Sequence, residues 1–221
     1  MRKSLKTAAI VFLVSLLLGA VAFVLLQGAD WGTPDDRAVV SARNALDSVE
    51  KAVGPDHPSV ATSLDSLAAL YRTQSQYAQA EPLYRRSLAI MEKAYGPDHT
   101  DVAGSLNILA VLYHTQGHYA QAEPLYRRSL AIWEKAFGPD NLEVTQSLDN
   151  LAALYRTQGQ YAQAEPLYRR SLAIWEKEYG RDHPAVAQSL GNMATLYRAT
   201  KRTQEAEALE ARAARIRAIK R

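Results

Sequence analysis

The sequence of 221 residues contains no cysteine. This absence excludes disulfide frameworks, cysteine-based zinc or iron–sulfur sites, and a thiol nucleophile. The chain also lacks the composition of a disordered protein, because 48% of its residues are apolar and such a chain can bury a core. We therefore expect a folded protein that is stabilised without covalent staples.

A basic stripe of the kind that binds nucleic acid is also missing. Residues 1–30 contribute +2 and residues 198–221 contribute +5 to the net charge of +3, which leaves −4 for residues 31–197. Because the excess basic charge is confined to the two ends, the high isoelectric point does not indicate nucleic-acid binding. We expect no nucleic-acid partner.

Catalytic signatures are absent from the sequence as well. It has no glycine-rich phosphate loop, no HExxH motif and no GxSxG motif. Catalysis needs a unique set of nucleophile, base and orienting group, whereas this chain supplies the same side chains several times in near-identical segments. We therefore predict that the protein is not an enzyme and uses no cofactor.

A long apolar run, residues 8–26, lies near the N-terminus. As a helix it would measure roughly 28 Å, close to the thickness of about 30 Å of a bilayer's hydrocarbon core. We predict an uncleaved transmembrane anchor that contacts the lipid bilayer; a cleaved export signal, cut after Ala20-Val21-Ala22, is the alternative. Three basic residues before the run, and none after it until Arg37, predict a single-pass protein of the cell (inner) membrane. Its N-terminus would be cytoplasmic and its body extracytoplasmic or periplasmic.

Three nearly identical segments follow at a spacing of 42 residues: 76–90, 118–132 and 160–174. A fixed period of roughly 20 to 50 residues is typical of a solenoid. In the third copy, apolar residues recur at helical spacing over 148–155 and again over 161–175, which predicts a pair of antiparallel helices. Small Ala152 and Ala164 are expected where the two helices cross.

The connections between units carry helix-ending and helix-starting residues. A glycine at each predicted helix end suits the position just past a C-terminus; these glycines are Gly54, Gly96, Gly138 and Gly180. A histidine precedes the next helix in three units, and Asn141 takes this place in the other. Because asparagine is a good helix cap and does not replace a metal-bound histidine, we predict loop or capping roles, and no metal site, for His57, His99 and His183.

Two further patterns concern the second helix of each unit. Glu81 and Arg85 form an i,i+4 pair that recurs in the next two units, and we predict that these pairs lie on a solvated face. Pro82, Pro124 and Pro166 lie near the end of the first turn and are expected to bend the helix or delay its start.

These residues resemble the tetratricopeptide repeat (TPR) family, and the unit ending in GPDHP with the pattern LAxLYxxQGxYxxAEPLYxRSLxI is similar to its kinesin light chain type. The resemblance implies an all-α, right-handed superhelical solenoid of stacked antiparallel helix pairs, here preceded by one transmembrane helix. The first helices would line a concave groove for peptides or partner domains. The groove positions in this sequence are Asp65, Arg72, Asn107, His114, Asp149, Arg156 and Arg198, which we call the groove row.

Stacked units would align Arg72, His114, Arg156 and Arg198, and arginine offers a planar fork of donors to carboxylates or backbone carbonyls. Asp65 and Asp149 are expected to neutralise part of this charge by pairing with the arginines. The predicted domains are a cytoplasmic tip and anchor (1–29), a linker (30–37), a leading single helix (38–56), repeats 1 to 3 (57–98, 99–140 and 141–182) and a C-terminal capping repeat 4 (183–221).

The function that these features predict is a membrane-anchored scaffold or adaptor whose groove binds a protein or peptide. Self-association into a homo-oligomer, and a secreted form released by cleavage of the N-terminal segment, are the alternatives. Repeat arrays offer an extended, preformed surface, so little ordering entropy opposes binding.

Overall fold

The computed structural model describes residues 34–219, all of whose regular structure is helical. No helix among these residues is long and apolar enough to cross a bilayer. The predicted anchor at 8–26 and the first part of the predicted linker lie outside the described residues.

Nine α-helices follow one another within residues 34–219. They are α1 (Pro34–Val53), α2 (Pro58–Thr73), α3 (Tyr77–Tyr95), α4 (Thr100–Thr115), α5 (Tyr119–Phe137), α6 (Thr145–Thr157), α7 (Tyr161–Tyr179), α8 (Pro184–Ala199) and α9 (Thr203–Ile219). The leading helix α1 therefore starts inside the predicted linker. The other eight form four pairs, and each first helix packs against its own second helix and, from α4 onward, against the second helix of the preceding pair.

The core runs continuously through the stacked pairs. Ala152 and Ala164, predicted at the helix crossing, are fully buried, as are the equivalent alanines of the other repeats. Within the second pair, Val102, Leu106 and Ile132 form one buried cluster, and Leu88 and Met91 of the preceding pair pack against it. Each large aliphatic side chain fully removed from water contributes about 1.5–3 kcal/mol, so the array is stabilised mainly by this apolar interior. The all-α solenoid of stacked helix pairs is thus confirmed.

The helix ends follow the expected chemistry. The Nδ1 atom of His57 accepts a hydrogen bond from the backbone N–H of Ser59 at 3.2 Å, and His99 and His183 cap α4 and α8 in the same way. Asn141 accepts from the N–H of Glu143 at 3.0 Å. The capping prediction is therefore confirmed. Gly54, Gly96, Gly138 and Gly180 have φ between 83° and 88°, a backbone conformation that costs glycine no steric strain.

The third pair starts differently from the others. Where α2 and α8 begin with a proline, this pair has Leu142, and a short 3-10 turn over Leu142–Val144 precedes α6. The prolines of the second helices have less effect than expected. α3, α5 and α7 each begin five residues before their proline, so Pro82, Pro124 and Pro166 do not delay the helix start.

Arginines of the second helices join successive repeats. Arg85 donates to the Tyr113 hydroxyl of the next repeat at 2.7 Å, and that hydroxyl donates to Glu81 at 2.9 Å. We call this group a tyrosine clamp, and it recurs as Arg127–Tyr155–Glu123 and Arg169–Tyr197–Glu165. The predicted Glu81–Arg85 pair and its copies are present. They do more than cover a solvated face, because they bind the neighbouring repeat.

A second set of contacts, the loop clamps, uses the next arginine along the helix. Arg128 forms an ion pair with Glu92 of the preceding second helix at 2.6 Å and donates to the carbonyl of Pro97 in the intervening loop at 2.8 Å. The same arrangement recurs as Arg86 with Glu50, Arg170 with Glu134 and Arg212 with Glu176. Each loop clamp therefore fixes a second helix, its predecessor and the loop between them.

Candidate functional site

The groove row lies entirely on the first helices α2, α4, α6 and α8, at positions that repeat with the units. All of its members are partly buried except Arg198, which is exposed. Buried tyrosines of the second helices lie beside the row: Tyr84, Tyr126 and Tyr168 are each no more than 2% exposed. The site thus consists of polar side chains set against aromatic walls.

Arg72 lies between two of these tyrosines. It is close enough to Tyr84 of its own repeat and to Tyr126 of the next to lower the pKa of both hydroxyls, although burial outweighs it and raises both pKa values. The Nε atom of Arg72 is buried and has no hydrogen-bond partner among the described residues. Arg156 has the same relation to the pKa of Tyr168, which burial raises and the guanidinium lowers.

Asp65 and Asp149 are carboxylates held in poorly hydrated surroundings. Burial raises the pKa of each to about 6, and the hydroxyls of Ser87 and Ser171 oppose this effect only in part. One carboxylate oxygen of Asp149, Oδ1, is buried without a hydrogen-bond partner in the described part of the chain. A carboxyl group titrating near pH 6 is divided between its neutral and charged forms under mildly acidic conditions.

The expected neutralisation of the groove arginines by these aspartates does not occur. Within residues 34–219 neither Arg72 nor Arg156 forms an ion pair. Asp65 and Asp149 lie two helical turns away from them along the same helices and are directed toward the serines of the second helices instead. The two arginines therefore keep their charge available.

The second repeat replaces this aspartate–arginine combination with neutral groups. Asn107 accepts a hydrogen bond from the side-chain amide of Asn150 in the next repeat at 3.0 Å. The Nε2 atom of His114 lies 3.2 Å from the Thr157 hydroxyl. Burial, with the nearby charge of Arg156, lowers the pKa of His114, which favours the neutral form of this imidazole. The middle of the row therefore links neighbouring first helices.

The last residue of the groove row, Arg198, lies in the fourth repeat. Arg198 binds both carboxylate oxygens of Glu210, at 2.7 and 2.6 Å. Glu210 stands 42 residues after Tyr168, so the last repeat has exchanged the tyrosine wall for a partner that occupies its own arginine. Arg198 was predicted as a free member of the row, and its side chain is instead engaged within the chain.

Two kinds of residue that shape the site were not part of the sequence prediction. Asn150 bridges the first helices of repeats 2 and 3; the equivalent place holds Ile108 in repeat 2 and Asn192 in repeat 4, so this residue recurs in only part of the array. The tyrosine walls do carry a signal, since Tyr84 recurs as Tyr126 and Tyr168 and is lost only where Arg198 gains Glu210. Among the described residues no three histidine, aspartate or glutamate side chains are placed to hold a metal ion.

Comparison with known proteins decides the family. The sequence model of the tetratricopeptide repeat family matches four overlapping stretches of the chain, residues 36–93, 67–135, 101–174 and 143–218. The chain belongs to the tetratricopeptide repeat family. Its TPR units therefore cover nearly all of the described residues.

Solved structures with the same TPR architecture include a kinesin light chain of Podosopora anserina with nearly identical TPR-like repeats. It is 26% identical, covers 89% of this chain and 92% of its own, and has a TM-score of 0.74. The apo form of RapI is 18% identical, with 83% and 64% coverage and a TM-score of 0.68; at this identity the likeness shows the fold alone. A stretch of 51 residues, 23% of the chain, is 41% identical to nephrocystin-3 of Xenopus laevis and spans only 4% of that protein.

Proposed function

We propose that this TPR chain is a scaffold that binds a peptide or a partner domain along the groove row. TPR proteins of the kinesin light chain type are typically scaffolds without catalytic activity. The stacked helix pairs hold the first helices at fixed spacing, so that a partner meets a preformed surface and little ordering entropy opposes binding.

The observation that carries the proposal is that Arg72 and Arg156 have no carboxylate partner among the described residues and interact with the hydroxyls of Tyr84 and Tyr168 instead. Nine other arginines of the array form ion pairs with glutamates. These two, by contrast, have no carboxylate partner among the described residues, and one buried nitrogen of Arg72 makes no hydrogen bond. A bound carboxylate or backbone carbonyl would give this nitrogen the hydrogen bond that it lacks.

Photo-crosslinking in cells tests this assignment on the full chain. A photoreactive residue at exposed Thr115, next to His114 of the row, should capture a defined partner, whereas one at exposed Ala136 on α5 should not. The variant Arg72→Gln/Arg156→Gln should abolish the capture. The control Arg37→Gln/Lys177→Gln, which removes the same charge from exposed positions, should leave it unchanged.

Capture that survives loss of both groove arginines would reject the row as the binding surface. A crosslinked product composed of two copies of this chain would instead support the self-association alternative. Sedimentation of the full chain over a concentration series separates the two cases, because only self-association shifts with the concentration of the chain itself.

We further propose that residues 8–26 anchor the scaffold in the cell (inner) membrane, with the array on the extracytoplasmic side. The basic residues Arg2, Lys3 and Lys6 before the apolar run support this orientation. In cells whose outer layers have been opened, external protease should degrade the array. Protection of the array would contradict the orientation, and release of the array into the medium would favour a cleaved signal.

A further inference from the structure

The second helix of the last repeat departs from the 42-residue pattern at most positions, and the loop before this repeat departs at one. Three of these departures are Arg181, Arg215 and Ile219. The earlier repeats hold a proline, an alanine and a lysine at these places: Pro55, Pro97 and Pro139; Ala89, Ala131 and Ala173; Lys93, Lys135 and Lys177. The three changes add two arginines and remove one lysine, a net gain of one positive charge. The groove row does not account for them, because they lie in the last loop and on α9.

All three departures meet at one open cavity. This cavity, of about 450 Å³, is lined by Arg181, Asp182, Arg212, Arg215 and Ile219. The equivalent places of the second repeat hold Pro97, Asp98, Arg128, Ala131 and Lys135; two of these are cations, and the lysine is held by Asp98. The last repeat thus has one cation more at these places, and two of its three arginines form no ion pair among the described residues.

Two of the three arginines that line this cavity form no ion pair among the described residues. Arg212 is held in its loop clamp by Glu176 at 2.5 Å and by the carbonyl of Arg181 at 2.7 Å. Arg181 and Arg215 are exposed, and neither forms an ion pair with any described residue. Two guanidinium groups thus remain free to bind an anion.

Asp182 adds an acceptor to these donors. In two earlier loops the equivalent aspartate is neutralised by a lysine, as in the Lys93–Asp56 and Lys135–Asp98 ion pairs. Ile219 removes that lysine in the last repeat, and no other ion pair of Asp182 occurs within residues 34–219. A cavity with two free cations, one carboxylate and one apolar wall suits an anion that also carries hydroxyl groups.

We propose that this cavity binds a phosphate ester whose neighbouring hydroxyls face Asp182, either as a free metabolite or as the headgroup of an anionic phospholipid. The forked guanidiniums of Arg181 and Arg215 match phosphate oxygens in geometry and charge. Asp182 accepts hydrogen bonds from the hydroxyls of the ligand. Arg212, which its loop clamp holds in place, forms one fixed side of the cavity. The site is separate from the proposed groove and works with or without a partner there.

The test uses the full chain in maltoside micelles, titrated calorimetrically with glycerol 3-phosphate at low salt. The variant Arg181→Pro/Arg215→Ala installs the residues of the earlier repeats, so its fold and thermal unfolding should match the parent. We expect it to weaken binding at least about tenfold, because both charge-assisted contacts are lost. Arg181→Gln/Arg215→Gln, which keeps the loop free of proline, should weaken binding equally.

The groove variant Arg72→Gln/Arg156→Gln serves as the charge-matched control and should bind like the parent. Doping the micelles with phosphatidylglycerol identifies the source: competition with glycerol 3-phosphate indicates a lipid headgroup, and its absence a free phosphate ester. The proposal is overturned if the parent shows no saturable binding, or if the two cavity variants bind as well as the groove variant.

Discussion

The clamp arginines of the second helices have surroundings opposite to those of Arg72 and Arg156 on the first helices. Arg85, Arg86 and their copies each bind a glutamate, and most reach the next loop or tyrosine as well. Arg72 and Arg156 lie against tyrosines and form no ion pair among the described residues. One residue type therefore serves two purposes on the two sides of the first and third helix pairs.

This difference shows how the repeat separates stability from binding. Every clamp joins one unit to its neighbour, which is the contact on which the stability of a solenoid depends. The groove row contributes little of that kind, and it keeps two charges and two poorly hydrated carboxylates that reduce stability. A surface prepared for a partner commonly carries such local costs in the free protein.

Among variants that test whether the groove row reduces stability, the largest change in the free energy of unfolding is expected at Asp149. Burial raises its pKa to about 6, well above the ordinary range of an aspartate, so burying the charged form weakens the fold at neutral pH. Asp149→Asn keeps the contact with Ser171 and should raise the free energy of unfolding at pH 7 by about 1–2 kcal/mol. Denaturant unfolding measures this, and the naturally neutral Asn107 provides the reverse control, Asn107→Asp, which should destabilise.

The gain in the free energy of unfolding from Asp149→Asn should decrease as the pH falls. Because the pKa is raised in the folded state, the folded chain binds more protons, and stability rises as the pH falls from about 6 toward 4. The advantage of Asp149→Asn over the parent should therefore be full at pH 7 and vanish below about pH 4, where the aspartate is neutral in both states. An advantage that persists unchanged at pH 3.5 would show that the carboxylate is not the cause.

The next largest effect is expected at the most buried loop clamp. The side chains of Arg212 and Glu176 are only 18% and 25% exposed. Arg212→Ala leaves Glu176 and the carbonyl of Arg181 without their donor and should lower the free energy of unfolding by about 1–2 kcal/mol. Arg215→Ala, on the same helix but without an ion pair, should change it by less than about 0.5 kcal/mol. Equal losses in the two variants would remove the distinction between clamped and free arginines.

The repeat period was sufficient to predict the helix pairs, their glycine ends and the capping role of His57 and Asn141, because these depend on local residues. The TPR resemblance, carried over residue by residue, supplied the positions of the groove row, and these residues do lie on the first helices. The repeat period could not predict that Glu81 and Arg85 bind Tyr113, since contacts between units depend on how the pairs stack. The capture of Arg198 by Glu210 has the same cause, as has the hydrogen bond from Asn150 to Asn107, although Asn150 itself recurs as Asn192 in the last repeat.

A smaller loss is expected from the hydroxyl of a tyrosine clamp. Tyr155 receives hydrogen bonds from Arg127 and donates one to Glu123, yet its ring is buried and the ion pair partly exposed. Tyr155→Phe keeps the ring and the Glu123–Arg127 pair, so it should cost about 0.5–1 kcal/mol. Thermal and denaturant unfolding measure the loss. Tyr168→Phe, whose hydroxyl lies beside the groove row, is the matched control, and a larger loss there would mean that the wall tyrosines are the stronger structural contacts.

The smallest change in the free energy of unfolding is expected for Arg72→Gln. This variant is also the most direct test of the contrast between the groove arginines and the clamp arginines. The guanidinium of Arg72 has no ion pair within the described residues and one buried nitrogen without a partner, so Arg72→Gln should change the free energy of unfolding by less than about 0.5 kcal/mol in either direction. Arg128→Gln, which breaks an ion pair and a bond to the loop, should cost about 1 kcal/mol. If Arg72→Gln proved as destabilising as Arg128→Gln, the groove arginines would be structural, and the proposed binding surface would lose its physical basis. If Arg72→Gln leaves the free energy of unfolding almost unchanged but abolishes the crosslink to a partner, Arg72 serves binding and not stability.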